Sequence, residues 1–210
     1  MTGERIIEGP DCVAEGAAWL VLREPRFAHA LAMTGPWPLR RTRDGFDRLL
    51  HAIVGQQVST ASAAAIWERL EHAGLTRAEA VLASDEESLR GLGLSRQKAR
   101  YAKALAEAGL DFAALRDLPS EEVMATLVAV PGIGRWTAEV YAMFALGRAD
   151  VFAAGDLALQ EGARRLFGLD ARPSERALRS MALAWSPWRA VAARGLWAYY
   201  AHEIGREGTR

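Results

Sequence analysis

The chain has 210 residues, 50% of them apolar and 25% charged, a globular composition that excludes a disordered segment and allows one domain or two lobes. Twenty-six basic residues balance twenty-six acidic ones, so the net charge of zero excludes a protein that grips nucleic acid or membrane by bulk positive charge. One cysteine, Cys12, excludes an internal disulfide, a zinc–thiolate cage and a four-cysteine iron–sulfur cluster.

Ala, Leu, Arg and Glu dominate and β-branched residues rarely alternate with polar ones, which predicts an all-α fold. In chain order, short helices are predicted over 14–22, ended before Pro25, and over 26–33, ended by Gly35-Pro36-Trp37-Pro38. A helix starting at 45–54 is predicted to run on toward Leu70, with Gly74 closing the unit. Its uncharged stretch 49–67 holds His51, Gln56, Gln57, Ser59, Thr60 and Ser62, so a buried soluble helix is expected and not a membrane span. Short pieces over 77–83 and 85–89 precede a helix over 96–107 with Ser95 as its N-cap. Ser120 is predicted to open a helix over 121–129, which Pro131 terminates. A helix over 135–146 follows, then a loop over 151–155. Asp156 stands where the N-cap of a helix over 157–167 belongs, and helices over 175–184 and 188–204 bring the total to about ten. No secretory signal is visible at the start of the chain, and a cytoplasmic setting is expected.

The most informative segment is Leu127-Val128-Ala129-Val130-Pro131-Gly132-Ile133-Gly134-Arg135-Trp136-Thr137-Ala138. Pro131 stops one helix, and Gly132 and Gly134 permit backbone angles that a side chain would forbid. The next helix then starts with outward amide N–H groups and the positive end of its dipole, which suit a phosphate oxygen, and Arg135 adds charge. A plain packing corner fits the same residues. Asp156, twenty-two residues after Gly134, lies between an apolar loop and an apolar helix, where it is a cap, a paired core acid or a catalyst.

Three blocks together resemble the helix-hairpin-helix DNA glycosylase superfamily, in its 3-methyladenine DNA glycosylase II (AlkA-like) branch. They are Ala52-Ile53-Val54-Gly55-Gln56-Gln57-Val58-Ser59; the 131–138 hairpin with Leu146-Gly147-Arg148-Ala149-Asp150-Val151-Phe152 and Asp156; and Trp185-Ser186-Pro187-Trp188-Arg189 with Trp197 beyond. The resemblance implies a helix-hairpin-helix DNA glycosylase fold of two helical lobes with the active cleft between them. One lobe would comprise 1–50 and 157–210, and the other 51–156 with the hairpin at 127–146. It implies Asp156 as the catalytic carboxylate. Backbone amides or hydroxyl of Gly132, Gly134 and Thr137 would hold a phosphate 3′ of the lesion, with Arg135 beside them. The carbonyls of Val128, Val130 and Ile133 would hold a monovalent cation, Na⁺ or K⁺. Gln57 would wedge into the gap left by the extruded base. Trp197, Trp136 and, more weakly, Tyr141 would line the base pocket. Ala154 and Gly155 stand where relatives often carry Asp and Pro, which implies a looser loop.

The chemistry suits those residue types. A base inside a duplex must be rotated out before its glycosidic bond can be reached, at about a few kcal/mol. An alkylated purine such as 3-methyladenine is cationic, so an indole face attracts it by about 0.5–2 kcal/mol. Such a base leaves readily, and what remains is to stabilise an oxocarbenium-like sugar and direct water, for which one ionised carboxylate suffices. Lyase chemistry needs an amine nucleophile. Family members with that activity place a lysine where this chain has Trp136, while the two lysines here, Lys98 and Lys103, lie elsewhere. The expected protein is a monomeric, monofunctional alkylbase glycosylase acting on double-stranded DNA, nucleoid-associated through its substrate. It would need no cofactor and no iron–sulfur cluster and would touch no membrane. Its range would take in 7-methylguanine, 1-methyladenine and 3-methylcytosine. A non-catalytic hairpin module binding DNA and a uracil or oxidised-base glycosylase are the alternatives.

Overall fold

The computed structural model describes residues 3–207, the side chains of 206 and 207 excepted. Residues 1, 2 and 208–210 of the predicted lobes lie outside the described residues. Thirteen α-helices occur among the described residues, with one isolated bridge between Ile6 and Arg148 and no named strand, in line with the all-α expectation. They are α1 (Pro10–Arg23), α2 (Pro25–Thr34), α3 (Phe46–Gly55), α4 (Thr60–His72), α5 (Ala78–Ala83), α6 (Glu86–Gly91), α7 (Arg96–Glu107), α8 (Phe112–Asp117), α9 (Ser120–Val128), α10 (Arg135–Phe144), α11 (Leu157–Phe167), α12 (Glu175–Ala182) and α13 (Arg189–Glu207). A single 3₁₀ turn covers Leu183–Trp185. None of these helices is long and apolar enough to cross a membrane.

The fold separates into two compact units, one of residues 43–141 and one of 3–42 with 142–207. The boundaries therefore fall at 42/43 and 141/142, not at 50/51 and 156/157 as the sequence suggested. The reason is visible in the backbone: Thr42 donates its amide to the Phe144 carbonyl at 3.0 Å, and Ala149 donates to that of Arg5 at 3.0 Å. These bonds fasten the stretch after Tyr141, Asp156 included, to the N-terminal segment.

In the first unit, Leu49, Leu50, Ile53 and Val54 of α3 and Ala99, Ala102 and Leu105 of α7 are buried together with Val81 and Leu89, each residue contributing about 1.5–3 kcal/mol where a large side chain leaves water. The predicted continuous helix from 45 toward Leu70 is in fact two. Gln57 adopts a left-handed φ of 55°, and Ser59 caps α4 by accepting the Ser62 amide at 3.2 Å. Helix α8 is absent from the predicted elements. Asp111 nucleates it, accepting the amides of Ala113 and Ala114 at 3.0 Å each.

In the second unit α13 is the central element, packed against α11, α2 and α1. Leu20, Phe27, Leu159, Ala163 and Leu196 are fully buried around it. Phe27 meets the rings of Trp37, Phe167 and Trp185 edge-on at centroid separations of 5.9, 6.0 and 5.4 Å, an arrangement aromatic quadrupoles favour.

Candidate active site

Asp156 is the N-cap of α11. Its backbone is extended there and its Oδ1 accepts the Leu159 amide at 2.9 Å. The same oxygen accepts the indole N–H of Trp197 from α13 at 3.0 Å. Two donors converging on one carboxylate oxygen select a single rotamer, and each bond is strengthened by the charge. Helix α13 can deliver Trp197 because Gly162 of α11 has no side chain: a Cβ there would lie 2.7 Å from the Leu196 carbonyl oxygen. Phe144 lies against the Trp197 ring at 5.6 Å with 34° between planes. The arrangement can stabilise a positive charge that develops close to the carboxylate.

The loop leading to Asp156 is not loose, contrary to the expectation from Ala154 and Gly155. Val151, Phe152, Ala153 and Ala154 are buried, Gln160 donates its side-chain amide to the Ala154 carbonyl at 2.9 Å, and the Asp156 amide donates to that of Ala153 at 3.0 Å. Small side chains let this backbone pack inside the unit, where its polar groups must then be satisfied internally.

The hairpin turn lies between α9 and α10. The amide of Ile133 donates to the Val130 carbonyl at 3.0 Å, and Gln56 donates its side-chain amide to the Gly132 carbonyl at 2.9 Å. Gly132 has φ +93°, and a Cβ there would collide with the Tyr101 ring. Gly134 differs. Its φ is outside the left-handed region and a Cβ would meet nothing within 4 Å, so forbidden backbone angles explain Gly132 alone. What Gly134 provides is open space at the start of α10. The Arg135 guanidinium does not stand loose at that terminus: its Nε donates to Glu139 Oε1 at 3.0 Å, one helical turn on. The carbonyls of Val128 and Ile133 accept no hydrogen bond among the described residues, whereas that of Val130 is engaged in the turn.

Gln57 and the turn residues Val128, Val130, Gly132, Ile133 and Gly134 share one depression of about 470 Å³. Trp136, Thr137 and Tyr141 line a second cavity of about 240 Å³ with His51 and Gln56. Trp136 is 44% exposed, while Thr137 is buried. The Tyr141 hydroxyl accepts the Gly45 amide at 3.0 Å, and burial pushes the phenol up to about 12. The four base- or sugar-facing candidates therefore divide as pairs, Trp136 with Tyr141 in the first unit and Asp156 with Trp197 in the second.

Other polar side chains have structural partners. Asp150 accepts from Arg189 at 2.8 and 2.9 Å and from the Ser186 hydroxyl at 2.8 Å. Arg164 and Arg165 both bind Glu161 and hold its carboxyl down at about 2. His51 packs edge-on against Trp67 at 4.8 Å, and burial, helped by Arg48, lowers its pKa. Lys98 donates to the Val54 carbonyl at 2.8 Å, and Lys103 to those of Val81, Leu82 and Ser84 at 3.1, 2.9 and 2.8 Å. Among the described residues, no three His, Cys, Asp or Glu side chains group as metal ligands.

Residues 50–189 match the model of the HhH-GPD superfamily base excision DNA repair proteins. YfjP of Bacillus subtilis is 30% identical over 165 residues, which cover 72% of this chain and 58% of YfjP, so the chain spans less than two thirds of that relative. The crystal structure of a DNA-3-methyladenine glycosidase from Bacillus halodurans is 31% identical, with a TM-score of 0.83 over 96% of this chain and 94% of that one. The Schizosaccharomyces pombe 3-methyladenine DNA glycosylase Mag1, solved with abasic DNA, is 27% identical, with a TM-score of 0.75 over 87% and 95% of the respective chains. Hairpin, capping aspartate and indole partner thus sit on a backbone shared along nearly its whole length with these proteins, and the chain belongs to the HhH-GPD superfamily of base excision DNA repair proteins.

Proposed function

We propose that this chain is a monofunctional DNA glycosylase that extrudes alkylated bases of the 3-methyladenine type from duplex DNA and hydrolyses their N-glycosidic bond, starting base excision repair. The observation that carries it is the Asp156 carboxylate, fixed by the Leu159 amide and the Trp197 indole N–H on a single oxygen. The names borne by the Bacillus halodurans and Schizosaccharomyces pombe proteins support the substrate class.

In this reaction the C1′–N bond breaks and the cationic base leaves with the bonding electrons as a neutral ring. The sugar becomes oxocarbenium-like beside Asp156, water adds to C1′, and one proton passes to solvent. Asp156 lowers the barrier by facing that charge from a fixed position, with no reorganisation at the moment of bond cleavage. Trp197 commits its N–H edge to Asp156 and offers its ring face to a base. Trp136 and Tyr141, which line one cavity of the first unit, are the further candidates for contact with a base. Both lysines donate to backbone carbonyls, which supports hydrolysis without a Schiff base. The range of bases extends, on the same cationic logic, to 7-methylguanine, 1-methyladenine and 3-methylcytosine.

The α10 amides around Gly134 and Thr137 bind a phosphate, with space for it left by Gly134. Arg135 contributes charge from its pair with Glu139. Gln57, exposed and left-handed beside the turn, is the wedge; a strained backbone of about 1 kcal/mol or more at a non-glycine residue is a common mark of a functional position. The open carbonyls of Val128 and Ile133, with that of Val130, fit a monovalent cation such as Na⁺ or K⁺. A bound cation would add positive charge beneath the phosphate. The protein works as a monomer on double-stranded DNA in the cytoplasm and needs no other cofactor.

Methylated genomic DNA incubated with the protein is expected to release identifiable methylated purines, and Asp156→Asn to release about 10²- to 10³-fold less. Asparagine caps a helix as well as aspartate does, so the variant keeps its melting temperature and DNA affinity. DNA binding by the wild type with no base released would make the chain a binding module instead.

A further inference from the structure

Of the arginines at 40, 41, 43 and 48, two have fates that differ sharply. Arg41, exposed like Arg40, is tied down by donating to the Ala145 carbonyl at 2.9 Å. On its other side the buried Arg194 donates twice to the Leu39 carbonyl, at 3.0 and 2.9 Å. The Thr42 amide is bonded to the Phe144 carbonyl. Arg40 is thereby held between two anchored neighbours, and its own backbone is left-handed, with φ +51°. An L side chain gains nothing intrinsically from that conformation, and glycine or asparagine would be the ordinary choice. Yet the position carries an exposed arginine, whose guanidinium carbon lies 6.0 Å from the centre of the Trp197 ring. That is the outer limit of a cation–π contact, close enough to orient the group and weak enough to release it. Among the described residues no carboxylate forms an ion pair with Arg40.

We infer that Arg40 is a phosphate-binding residue, presented beside the Asp156–Trp197 pair to the DNA backbone that flanks the extruded nucleotide. The inference rests on the glycosylase reading given above. The strained, doubly anchored backbone fixes where the side chain emerges, and the indole face parks the guanidinium until an anionic oxygen takes its place. The surroundings favour an anion: Arg40 and Arg41, after burial, help to pull the pKa of Arg194 down to about 10. A phosphate would relieve that mutual repulsion. Departure of the guanidinium also clears the Trp197 face for a cationic ring, so one anion and one cation exchange places as the substrate seats.

The test measures binding to a duplex containing a tetrahydrofuran abasic-site analogue, across a salt series. Arg40→Gly removes the charge and relieves the backbone; Arg40→Gln removes the charge and keeps the strain. Both are expected to bind about fivefold more weakly at 0.1 M salt, with the slope of log affinity against log salt reduced by about one unit, and Arg40→Gly to melt no lower than the wild type. Arg40→Lys should keep the slope. Neutral methylphosphonates at the phosphates flanking the analogue should erase the difference between wild type and Arg40→Gly. An unchanged affinity and slope in both charge-removing variants overturns the inference, as does a difference that survives the methylphosphonates. A wild type that binds the duplex while releasing no alkylated base would remove the glycosylase reading and leave the Arg40 contact standing, whereas a wild type without DNA affinity removes both.

Discussion

Under the proposed function, the hairpin of residues 131–138 and the Asp156–Trp197 pair solve opposite problems with opposite materials. The hairpin works through its backbone. Gly132 supplies a turn no side chain could make against Tyr101, Gly134 supplies emptiness, and α10 supplies amides. The pair works through side chains, one carboxylate oxygen gripped by an amide and an indole. A phosphate is the same at every nucleotide, so main-chain donors that ignore sequence are adequate for it. A developing sugar cation exists for an instant at one place, so the opposing charge has to be a specific side chain already in position. Recognition that repeats can be built from glycine; recognition that happens once needs a locked rotamer.

The comparison breaks most sharply inside the hairpin itself. Gly132→Ala combines a left-handed φ with a collision against the Tyr101 ring and should cost about 2–4 kcal/mol in urea unfolding, whereas Gly134→Ala, whose Cβ meets nothing, should stay within about 0.5 kcal/mol and weaken DNA binding alone. Equal destabilisation by the two would mean the glycines share one role. On the side-chain half, Trp197→Phe keeps a smaller aromatic ring and deletes the N–H together with the pyrrole ring that carries it. A hydrogen bond to a charged group is worth about 1.5–3 kcal/mol, so single-turnover base release should slow about ten- to a hundredfold with little change in DNA affinity; a full rate would detach Trp197 from Asp156. The smallest effect concerns acid stability. The Glu161 carboxyl is held at about 2 by Arg164 and then Arg165, below its ordinary 4.5. Its contribution is therefore complete above pH 4.5 and disappears as the pH falls from there through about 2. Glu161→Gln should flatten that part of the melting-temperature profile and leave neutral-pH DNA binding as it was.

Local signals in the sequence were good guides. Helix α11 and its Asp156 cap, and α7 with Ser95, stand where residue types place them, because an N-cap is decided within four residues. The arginine at 135 was also locally legible in hindsight, since Glu139 follows at the spacing that pairs charges on one helix face. Other features depend on tertiary placement. Glutamine and arginine give no hint of positive φ, so the breaks at Gln57 and Arg40 were invisible, and with them the division of α3 from α4. The sequence points to the face of Trp197, but its edge reaches Asp156 across 41 residues through a helix crossing that Gly162 permits. The boundary at 141/142 likewise depends on bonds to the distant N-terminal segment.

The two lysines have a consequence of another kind. Removing a base leaves a deoxyribose whose ring opens to an aldehyde, a group that condenses with any loose primary amine. This chain carries twenty-four arginines, whose guanidinium groups stay protonated, and only two ε-amines, each fastened by its ammonium hydrogens to peptide oxygens. Under the proposed chemistry such a surface handles its own reactive product without becoming glued to it, and can let go of the damaged strand intact for whatever comes next.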